Sequence, residues 1–281
     1  MNRVQVGEFE VHLLSDGTFR LDGGAMFGVV PKPLWETIHV PDERNRIRLG
    51  IDALLVVGRG RRILIESGIG GKSDAKFASI YGIERPVGLV GELAHLGVAP
   101  EAIDVVVLTH LHFDHAGGLT RREGGEVVPV FPRAVHVVQR AELAYAHAPP
   151  DRVRPSYLPD DFAPVEAAGL FRLADGAGEV EPGIRVVPTP GHAPHHQSVL
   201  VESGGRTLAY WGDLVPTAGH THVPYVMGYD LEPAVTVEQK KEWLARAERD
   251  RWLVTWTHEP DPWVGRVVRE RGRFRSIPCD A

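Results

Sequence analysis

The sequence predicts an α/β protein of layered sheets and helices, because strand-like runs alternate with helical patterns and polar clusters follow the runs. Residues 103–108 form a continuous apolar run, as in a buried strand. Residues 237–249 have the amphipathic pattern of a surface helix. His110 and His258 each follow a predicted strand directly. Since functional residues often lie at strand ends, these positions are the first candidates for a site.

The early part of the chain reads as β structure. Residues 9–14 alternate in hydrophobicity and lead to a predicted turn at 15–17. Residues 53–57 and 62–65 are two apolar runs joined by a glycine-rich turn, which predicts a hairpin. The Gly- and Pro-rich segment 21–50 is too long for a plain connection, so we expect a flap or pocket wall there.

The later part alternates between helices and strands. Helices are predicted over 87–96 and 140–147. The Pro-rich segment 148–164 is predicted to be a second loop over the site. Further strands are predicted at 134–138, 184–187, 198–201, 207–211 and 252–256. With no repeat or linker visible, we expect one domain over 1–281, with loop insertions near 21–50 and 148–164.

Composition excludes several classes of protein. The chain has 281 residues, 43% hydrophobic and 24% charged, with a net charge of -6 and no basic block, so nucleic acid is not an expected partner. Residues 1–8 lack the apolar run of a signal peptide, and no run approaches the roughly 20 residues of a membrane span. The single cysteine, Cys279, excludes an intrachain disulfide or a Cys-rich metal site. We expect a cytoplasmic protein with a small-molecule substrate and no membrane partner, and a homodimer is left open.

Four potential metal ligands fall within six residues: His110, His112, Asp114 and His115. On a strand, His110 and His112 would share one face, and a following turn could bring the other two round. Imidazole and carboxylate are suitable ligands for zinc, iron or manganese. An ordinary solvated loop is a poor explanation for three histidines and an aspartate within six residues.

Three later residues complete the predicted shell. His192, Asp213 and His258 each follow a predicted strand. A single histidine at such a place is more often an ordinary surface or core residue. Their common position at strand ends, after the first cluster, is what makes them candidates.

These residues carry a resemblance to the metallo-β-lactamase superfamily. The matching runs are Thr-His-Leu-His-Phe-Asp-His-Ala-Gly-Gly at 109–118 and Thr-Pro-Gly-His-Ala-Pro-His-His-Gln-Ser at 189–198. The resemblance extends from Leu54 to His258 and implies a four-layer αββα sandwich with a binuclear metal site. It implies that one metal is held by His110, His112 and His192, the other by Asp114, His115 and His258, and that Asp213 bridges them.

The resemblance implies a hydrolase with two divalent ions, zinc first, with iron or manganese as alternatives. Two cations about 3.5 Å apart need bridging anions, here Asp213 and a hydroxide. The ions would lower the pKa of bound water and so generate that nucleophile near neutral pH. Asp114 is a candidate to take up and return a proton.

Two positions depart from the family pattern. Glu66-Ser67-Gly68 stands where members commonly have Asp-Thr-Gly, whose Asp supports a ligating histidine, so Glu66 is the candidate support. The closest groups in appearance are the N-acyl homoserine lactone lactonases, through residues 228–233, and the methyl parathion hydrolase-like enzymes. Those lactonases have a tyrosine three residues after the bridging Asp, where this chain has Pro216. Candidate replacements are His220, His222 and Tyr225.

Apolar loop residues suggest the kind of substrate. Met26, Phe27, Trp35 and Phe113 are candidate pocket walls, and such walls suit uncharged groups. We therefore expect a neutral ester, lactone or phosphotriester. The alternatives are a phosphodiesterase, a mononuclear-iron oxidoreductase like the persulfide dioxygenases of the superfamily, and a binding module without activity, which the intact ligand set disfavours.

Overall fold

The computed structural model describes residues 3–279, so Met1 and Asn2 of the N-terminal segment lie outside it. Within that range, sixteen strands form two seven-stranded sheets and one small hairpin. The strands are β1 (Arg3–Val6), β2 (Phe9–Asp22), β3 (Arg46–Gly58), β4 (Arg61–Ile65), β5 (Val105–Val107), β6 (Thr120–Glu123), β7 (Glu126–Pro129), β8 (Val135–Gln139), β9 (Phe171–Ala174), β10 (Gly178–Glu181), β11 (Ile184–Pro188), β12 (Gln197–Ser203), β13 (Arg206–Tyr210), β14 (Leu253–Thr255), β15 (Gly265–Glu270) and β16 (Arg273–Pro278).

Each large sheet is mixed. The first has the order β1-β2-β3-β4-β5-β8-β9, in which the pairs from β4 to β9 are parallel. The second has the order β10-β11-β12-β13-β14-β15-β16, with one parallel pair, β13 and β14. Parallel strands end at the same edge of a sheet, so the loops after β4, β5, β13 and β14 are available to build one site.

Eight α-helices accompany the strands in the described range. They are α1 (Gly23–Phe27), α2 (Lys32–Trp35), α3 (Ala75–Tyr81), α4 (Leu89–His95), α5 (Phe113–Ala116), α6 (Arg140–His147), α7 (Pro159–Ala167) and α8 (Pro233–Arg249). None of them is long and apolar enough to cross a membrane.

Three hydrophobic clusters define the layers. One lies between the sheets and joins Val11 and Val107 of the first to Val199 and Tyr210 of the second. A second joins the outer face of the first sheet to α4, α6 and α7. A third joins the outer face of the second sheet to α8. The order is helix, sheet, sheet, helix, so the predicted four-layer αββα sandwich is confirmed.

The predicted hairpin is confirmed, whereas the predicted turn at 15–17 is wrong. β3 and β4 pair antiparallel, and the linking Arg59 and Gly60 both have positive φ, 49° and 75°. β2 instead continues through 15–17 to Asp22 with an irregularity between Ser15 and Thr18. Gly17 has φ 130°, and the pairing of β2 with β3 resumes at Thr18. The irregularity is therefore confined to residues 16 and 17. Strand pairing overrode local turn propensity.

Both predicted insertions are shorter than expected. β2 and β3 extend into the first one, which is reduced to 23–45 and contains α1 and α2. The second is reduced to 148–158, between α6 and α7, because α7 begins at Pro159. Proline fits the first turn of a helix because that position needs no amide donor. The proline content there therefore marked a helix start as well as a loop.

Candidate metal centre

Seven side chains converge at one edge of the two sheets. The first four come from a single segment after β5, where His112 lies just before the short helix α5. The other three come from separate loops after β11, β13 and β14. The structure thus brings together all seven residues predicted as ligands: His110, His112, Asp114, His115, His192, Asp213 and His258.

The seven residues fall into overlapping groups of three. In each group, potential ligand atoms lie within 4.8 Å of one another. One group is His110, His112 and His192, in which His112 Nδ1 is 3.1 Å from His192 Nε2. Another group is Asp114, His115 and His258. The memberships coincide with the two ligand sets that the resemblance implies.

Asp213 lies between these two groups. Its Oδ2 is 3.2 Å from His192 Nε2, on the side of the first group. Its Oδ1 is 3.2 Å from His258 Nε2 and 3.5 Å from His115 Nε2, on the side of the second. One carboxylate oxygen thus faces each group, which is the disposition that a bridging ligand needs.

The donor atoms fit metal ions better than they fit one another. Among the described residues, His110 Nε2, His115 Nε2 and Asp213 Oδ1 are buried without a hydrogen-bond partner. A buried polar atom left unpaired is costly, so such a concentration needs an explanation. Nitrogen and carboxylate oxygen donors suit a divalent ion such as zinc.

The electrostatics of the site differ from one ligand to the next. Burial, with positive neighbours adding to it, lowers the pKa of His110 and His112 well below its ordinary value. Both therefore stay neutral, and the neutral imidazole is the form that binds metal. Burial would raise the pKa of Asp213, but His115, His258 and His192 outweigh it and hold that pKa well below normal. Asp213 is therefore an anion.

Burial lowers the pKa of His115 and His192, but Asp213, with Asp114 for the first and Asp230 for the second, outweighs it and raises the pKa of both rings. A metal ion would therefore displace protons at these two residues.

Glu66 lies behind His115, as a supporting residue would. Its Oε1 is 3.5 Å from His115 Nδ1 and accepts a 3.0 Å hydrogen bond from the amide of Thr109. Glu66 has φ 69°, an unusual conformation for a non-glycine residue. The backbone at the end of β4 therefore accommodates the longer side chain. Glu66 contacts both ends of residues 109–115, which we call the ligand segment.

The small residues after Asp114 and His115 allow a close approach of two chain segments. A Cβ on Gly117 would lie 2.3 Å from the carbonyl oxygen of Ile69, and one on Gly118 would lie 1.9 Å from that of Ser67. Larger residues there would separate the ligand segment from the loop after β4.

Three supporting groups were not predicted from the sequence. Asp230 Oδ1 lies 3.1 Å from His192 Nδ1, the carbonyl of Gly50 lies 2.8 Å from His258 Nδ1, and His196 Nε2 accepts from the amide of Asp213 at 3.1 Å. Burial lowers the pKa of His196 to about 3, so its ring is neutral and can accept. Asp230 and His196 lie inside sequence runs that carried the resemblance, but only tertiary contacts assign their roles.

Glu142, on α6, was also missed. Its Oε1 accepts from the amide of Leu111 at 3.0 Å and from the hydroxyl of Tyr157 at 2.9 Å. The ring of Tyr157 packs edge-on against His112, with centroids 4.7 Å apart. Burial raises the pKa of Glu142 to about 6. Glu142 thus ties the ligand segment to the segment that precedes α7.

A cavity of about 320 Å³ opens onto five of the seven residues: His112, Asp114, His192, Asp213 and His258. Two of the predicted wall residues line it, Met26 and Phe113. The remaining lining residues outside the ligand set are Leu21, Tyr81, Arg152, Val153, Ser156, Met227, Gly228 and Tyr229. Tyr229, within the run 228–233 that resembles the lactonases, brings a phenol to the cavity.

The structure does not place the other predicted wall residues in this cavity. Phe27 and Trp35 are fully buried and stack on each other, with ring centroids 5.8 Å apart. His220 stacks on Phe27 at 4.4 Å, and its Nε2 lies 2.8 Å from the carbonyl oxygen of Met26. These three form a small core behind Met26, because aromatic loop residues pack on one another more readily than they line an open space.

His222 and Tyr225 are also placed elsewhere. They line a separate surface depression with the β15–β16 hairpin. The carbonyls of both accept from Lys240, at 3.1 Å and 2.6 Å. Together with the burial of His220, this corrects the expectation that one of the three replaces the tyrosine at the position of Pro216.

Comparison with known proteins agrees with the fold. The family model described as the metallo-β-lactamase superfamily matches residues 46–258, more than half of the chain. The chain therefore belongs to the metallo-β-lactamase superfamily and is a metal-dependent hydrolase.

Several relatives are lactonases by name. The chain is 30% identical over 190 residues to the N-acyl homoserine lactonase AttM of Agrobacterium fabrum, covering 65% of this chain and 68% of the relative. It is 32% identical over 158 residues to an N-acyl homoserine lactonase of a Bacillus species, covering 55% and 56%.

Solved structures match nearly the whole chain. A probable metal-dependent hydrolase from Staphylococcus aureus superposes with a TM-score of 0.90 at 30% identity, covering 99% of both chains. AidC, described as a dizinc quorum-quenching lactonase, superposes with a TM-score of 0.82 at 21% identity, covering 99% of this chain and 97% of AidC. At that identity the second match bears on the fold alone.

Proposed function

We propose that this hydrolase opens neutral lactones, with N-acyl homoserine lactones as the leading class, and that it uses two divalent ions, preferably zinc. The observation that carries the proposal is the position of Asp213 between two groups of ligands at the floor of a cavity. The lactonases among its relatives support the choice of substrate class. Neutral esters and phosphotriesters are the next candidates.

Each ion would have its own residues. His110, His112 and His192 would hold one, and Asp114, His115 and His258 the other, while Asp213 would contact both. When bound, the ions would supply Lewis acidity and lower the pKa of a water, so that hydroxide forms near neutral pH. Glu66 and Asp230 would orient His115 and His192 through the ring nitrogens that face away from the centre.

Asp114 is the residue we assign to proton movement. It is partly exposed and lines the cavity, whereas Asp213 is buried beneath it. In lactone hydrolysis, a bond forms between the water oxygen and the carbonyl carbon, and the ring C–O bond breaks. The leaving alkoxide takes up one proton and becomes a hydroxyl group. Asp114 would carry that proton from the water to the alkoxide.

Tyr229 would supply the phenol that is missing at position 216, where this chain has a proline instead of the tyrosine of the lactonases. It lines the cavity beside Asp114 and His258. Burial, with nearby acidic groups adding to it, raises its pKa to about 12, so its hydroxyl stays protonated at neutral pH. A protonated phenol can donate to the lactone carbonyl or to the departing oxygen.

The cavity walls favour an uncharged substrate. Leu21, Met26, Phe113 and Met227 provide apolar surface around the ligands. The chain carries a net charge of -6, so its overall field offers no steering for polyanions.

The test is a substrate panel on zinc-loaded protein. We expect kcat/KM for N-hexanoyl homoserine lactone to exceed that for a neutral aryl ester, and both to exceed that for a bis-aryl phosphodiester of similar size. A preference for the phosphodiester would contradict the proposal and favour the phosphodiesterase alternative. Oxygen consumption with one bound iron would favour the persulfide dioxygenase alternative instead.

Other features remain predictions of the sequence. They are zinc as the native metal and a cytoplasmic location, with a homodimer left open. The substrate panel addresses none of them, so each needs its own measurement.

A further inference from the structure

An apolar groove lies next to the metal cavity and shares part of its wall. The groove has a volume of about 700 Å³ and shares Arg152, Met227 and Gly228 with the cavity. Its remaining walls are largely apolar and include Val29, Val223, Leu231 and Ala234. Asp230 and Lys241 are its two further ionisable residues besides Arg152. The side chain of Val29 is 91% exposed. An apolar surface next to a cavity can hold part of a ligand whose other end occupies that cavity.

Arg152 lies at the border between the two spaces. One of its terminal nitrogens donates to the carbonyl of Gly228 at 2.8 Å. Among the described residues that line the metal cavity, it is the only lysine or arginine. A guanidinium has several N–H donors in one plane, so Arg152 can bond Gly228 and a second acceptor at the same time.

A second space beside the metal cavity is less suited to an apolar chain. It lies beyond Phe113, has about 340 Å³, and includes five ionisable residues in its lining: Lys72, Asp74, Arg122, Asp160 and Asp161. Lys72 and Asp161 form a buried ion pair there at 2.9 Å. An alkyl chain placed against those charges would compete with their hydration and pairing.

We propose that the groove binds the acyl chain of an N-acyl lactone and that Arg152 donates to the amide oxygen where the chain leaves the metal cavity. This rests on the proposed lactone hydrolysis and assigns a specificity-determining residue and a chain-binding surface to it. The amide oxygen is an acceptor at the junction of a polar ring and an apolar tail, and Arg152 is a donor at the junction of the two spaces. The occupant of the groove is thus part of the substrate.

Chain length is the first test of the groove. Each methylene buried there should raise kcat/KM by about twofold to fourfold, so N-decanoyl homoserine lactone should be preferred to N-butanoyl homoserine lactone. Ala234→Trp would fill the groove from α8, and we expect it to lower the ratio of the two kcat/KM values by at least about tenfold. Glu242→Trp is the matched control, since Glu242 is exposed on the same helix and does not line the groove.

The groove proposal is overturned if both tryptophan variants keep the ratio of the parent protein. It is also overturned if Ala234→Trp changes the oligomeric state measured by light scattering while the ratio stays constant. In that case the groove would be an interface between two copies of the chain.

The amide contact is tested by Arg152→Met, which keeps the stem of the side chain and removes its donors. The comparison is between an N-acyl homoserine lactone and a γ-alkyl lactone of equal chain length, which lacks the amide. We expect the ratio of their kcat/KM values to fall about tenfold in the variant, since a hydrogen bond to a charged group is lost with one substrate only. A purely structural role for Arg152 would affect both substrates alike and leave the ratio unchanged.

These outcomes separate the inference from the proposed function. If the parent protein opens no lactone of either kind, the proposed function fails. If it opens lactones without regard to chain length or amide, lactone hydrolysis stands and the role of Arg152 and the groove is wrong.

Discussion

The two seven-stranded sheets contribute to the metal centre in different ways. The first sheet supplies four ligands from one segment, residues 110–115, directly after β5. The second supplies His192, Asp213 and His258 from three loops that are far apart in the sequence. The first set is arranged by local backbone geometry, whereas the second depends on the register and packing of three strands. The difference explains why the first set is conspicuous in the sequence and the second is not.

The supporting contacts follow the same division. Each ligand of the second sheet is oriented by one buried group from elsewhere: Asp230 for His192, His196 for Asp213, and the Gly50 carbonyl for His258. The first set shares supports that act on both backbone and ring: Glu66 accepts from the amide of Thr109 and lies 3.5 Å from His115 Nδ1, and Glu142 accepts from the amide of Leu111. We therefore expect the second set to be more sensitive to the loss of one support.

The largest effect is expected at Asp213, because it faces both groups of ligands. Asp213→Ala should reduce activity by about a thousandfold or more, and it should lower the content of both metals. Elemental analysis and kcat/KM are the measurements, with circular dichroism to show that the variant is folded. Normal metal content in a folded variant would mean that Asp213 does not bridge.

An intermediate effect is expected at Asp230, which touches a ligand of the second sheet without being one. Asp230→Ala should weaken metal binding by about 10- to 100-fold, since His192 loses the acceptor that fixes its ring. Competition with a chelator of known affinity measures this. Asp175→Ala is the control, because Asp175 is an exposed carboxylate paired with Arg140. Equal metal affinity in the two variants would remove the proposed difference between the sheets.

The smallest effect is expected at Glu142, and it depends on pH. Burial raises its pKa from 4.5 to about 6, so the folded protein holds this proton more tightly than the unfolded chain does. The stability it contributes is present below pH 4.5 and is lost as pH rises through about 6. Glu142→Gln keeps an oxygen acceptor for Leu111 and Tyr157 without a titrating group.

The measurement is urea unfolding of Glu142→Gln and the parent protein across this pH range. Relative to the parent, the free energy of unfolding of the variant should rise by about 2 kcal/mol between pH 4.5 and pH 8. Comparing the two proteins at each pH cancels any constant cost of the amide group. A difference that does not change with pH would show that Glu142 titrates normally.

The sequence predicted the parts of the molecule that local patterns determine. The ligand segment, the β3–β4 hairpin and α6 are each defined by neighbouring residues. The four-layer order followed from the resemblance. By contrast, β2 passes through a predicted turn because pairing with β3 continues on both sides of it.

The cavity was the least predictable part, because it depends on which way loop side chains point. Met26 and Phe113 line it, but Phe27 and Trp35 turn away and pack on each other. Residue type does not distinguish these outcomes, since all four are large and apolar. Asp230 and Glu142 could not be assigned either, because each acts on a residue more than 30 positions away.

We expect the two sheets together to hold two metal ions in each chain. Elemental analysis of zinc-saturated protein by inductively coupled plasma mass spectrometry tests it most directly, with anomalous scattering from crystals to locate the ions. Two zinc ions per chain are expected, one near His192 and one near His258, with Asp213 between them. A saturated content of one ion or fewer, with no second anomalous peak, would contradict it.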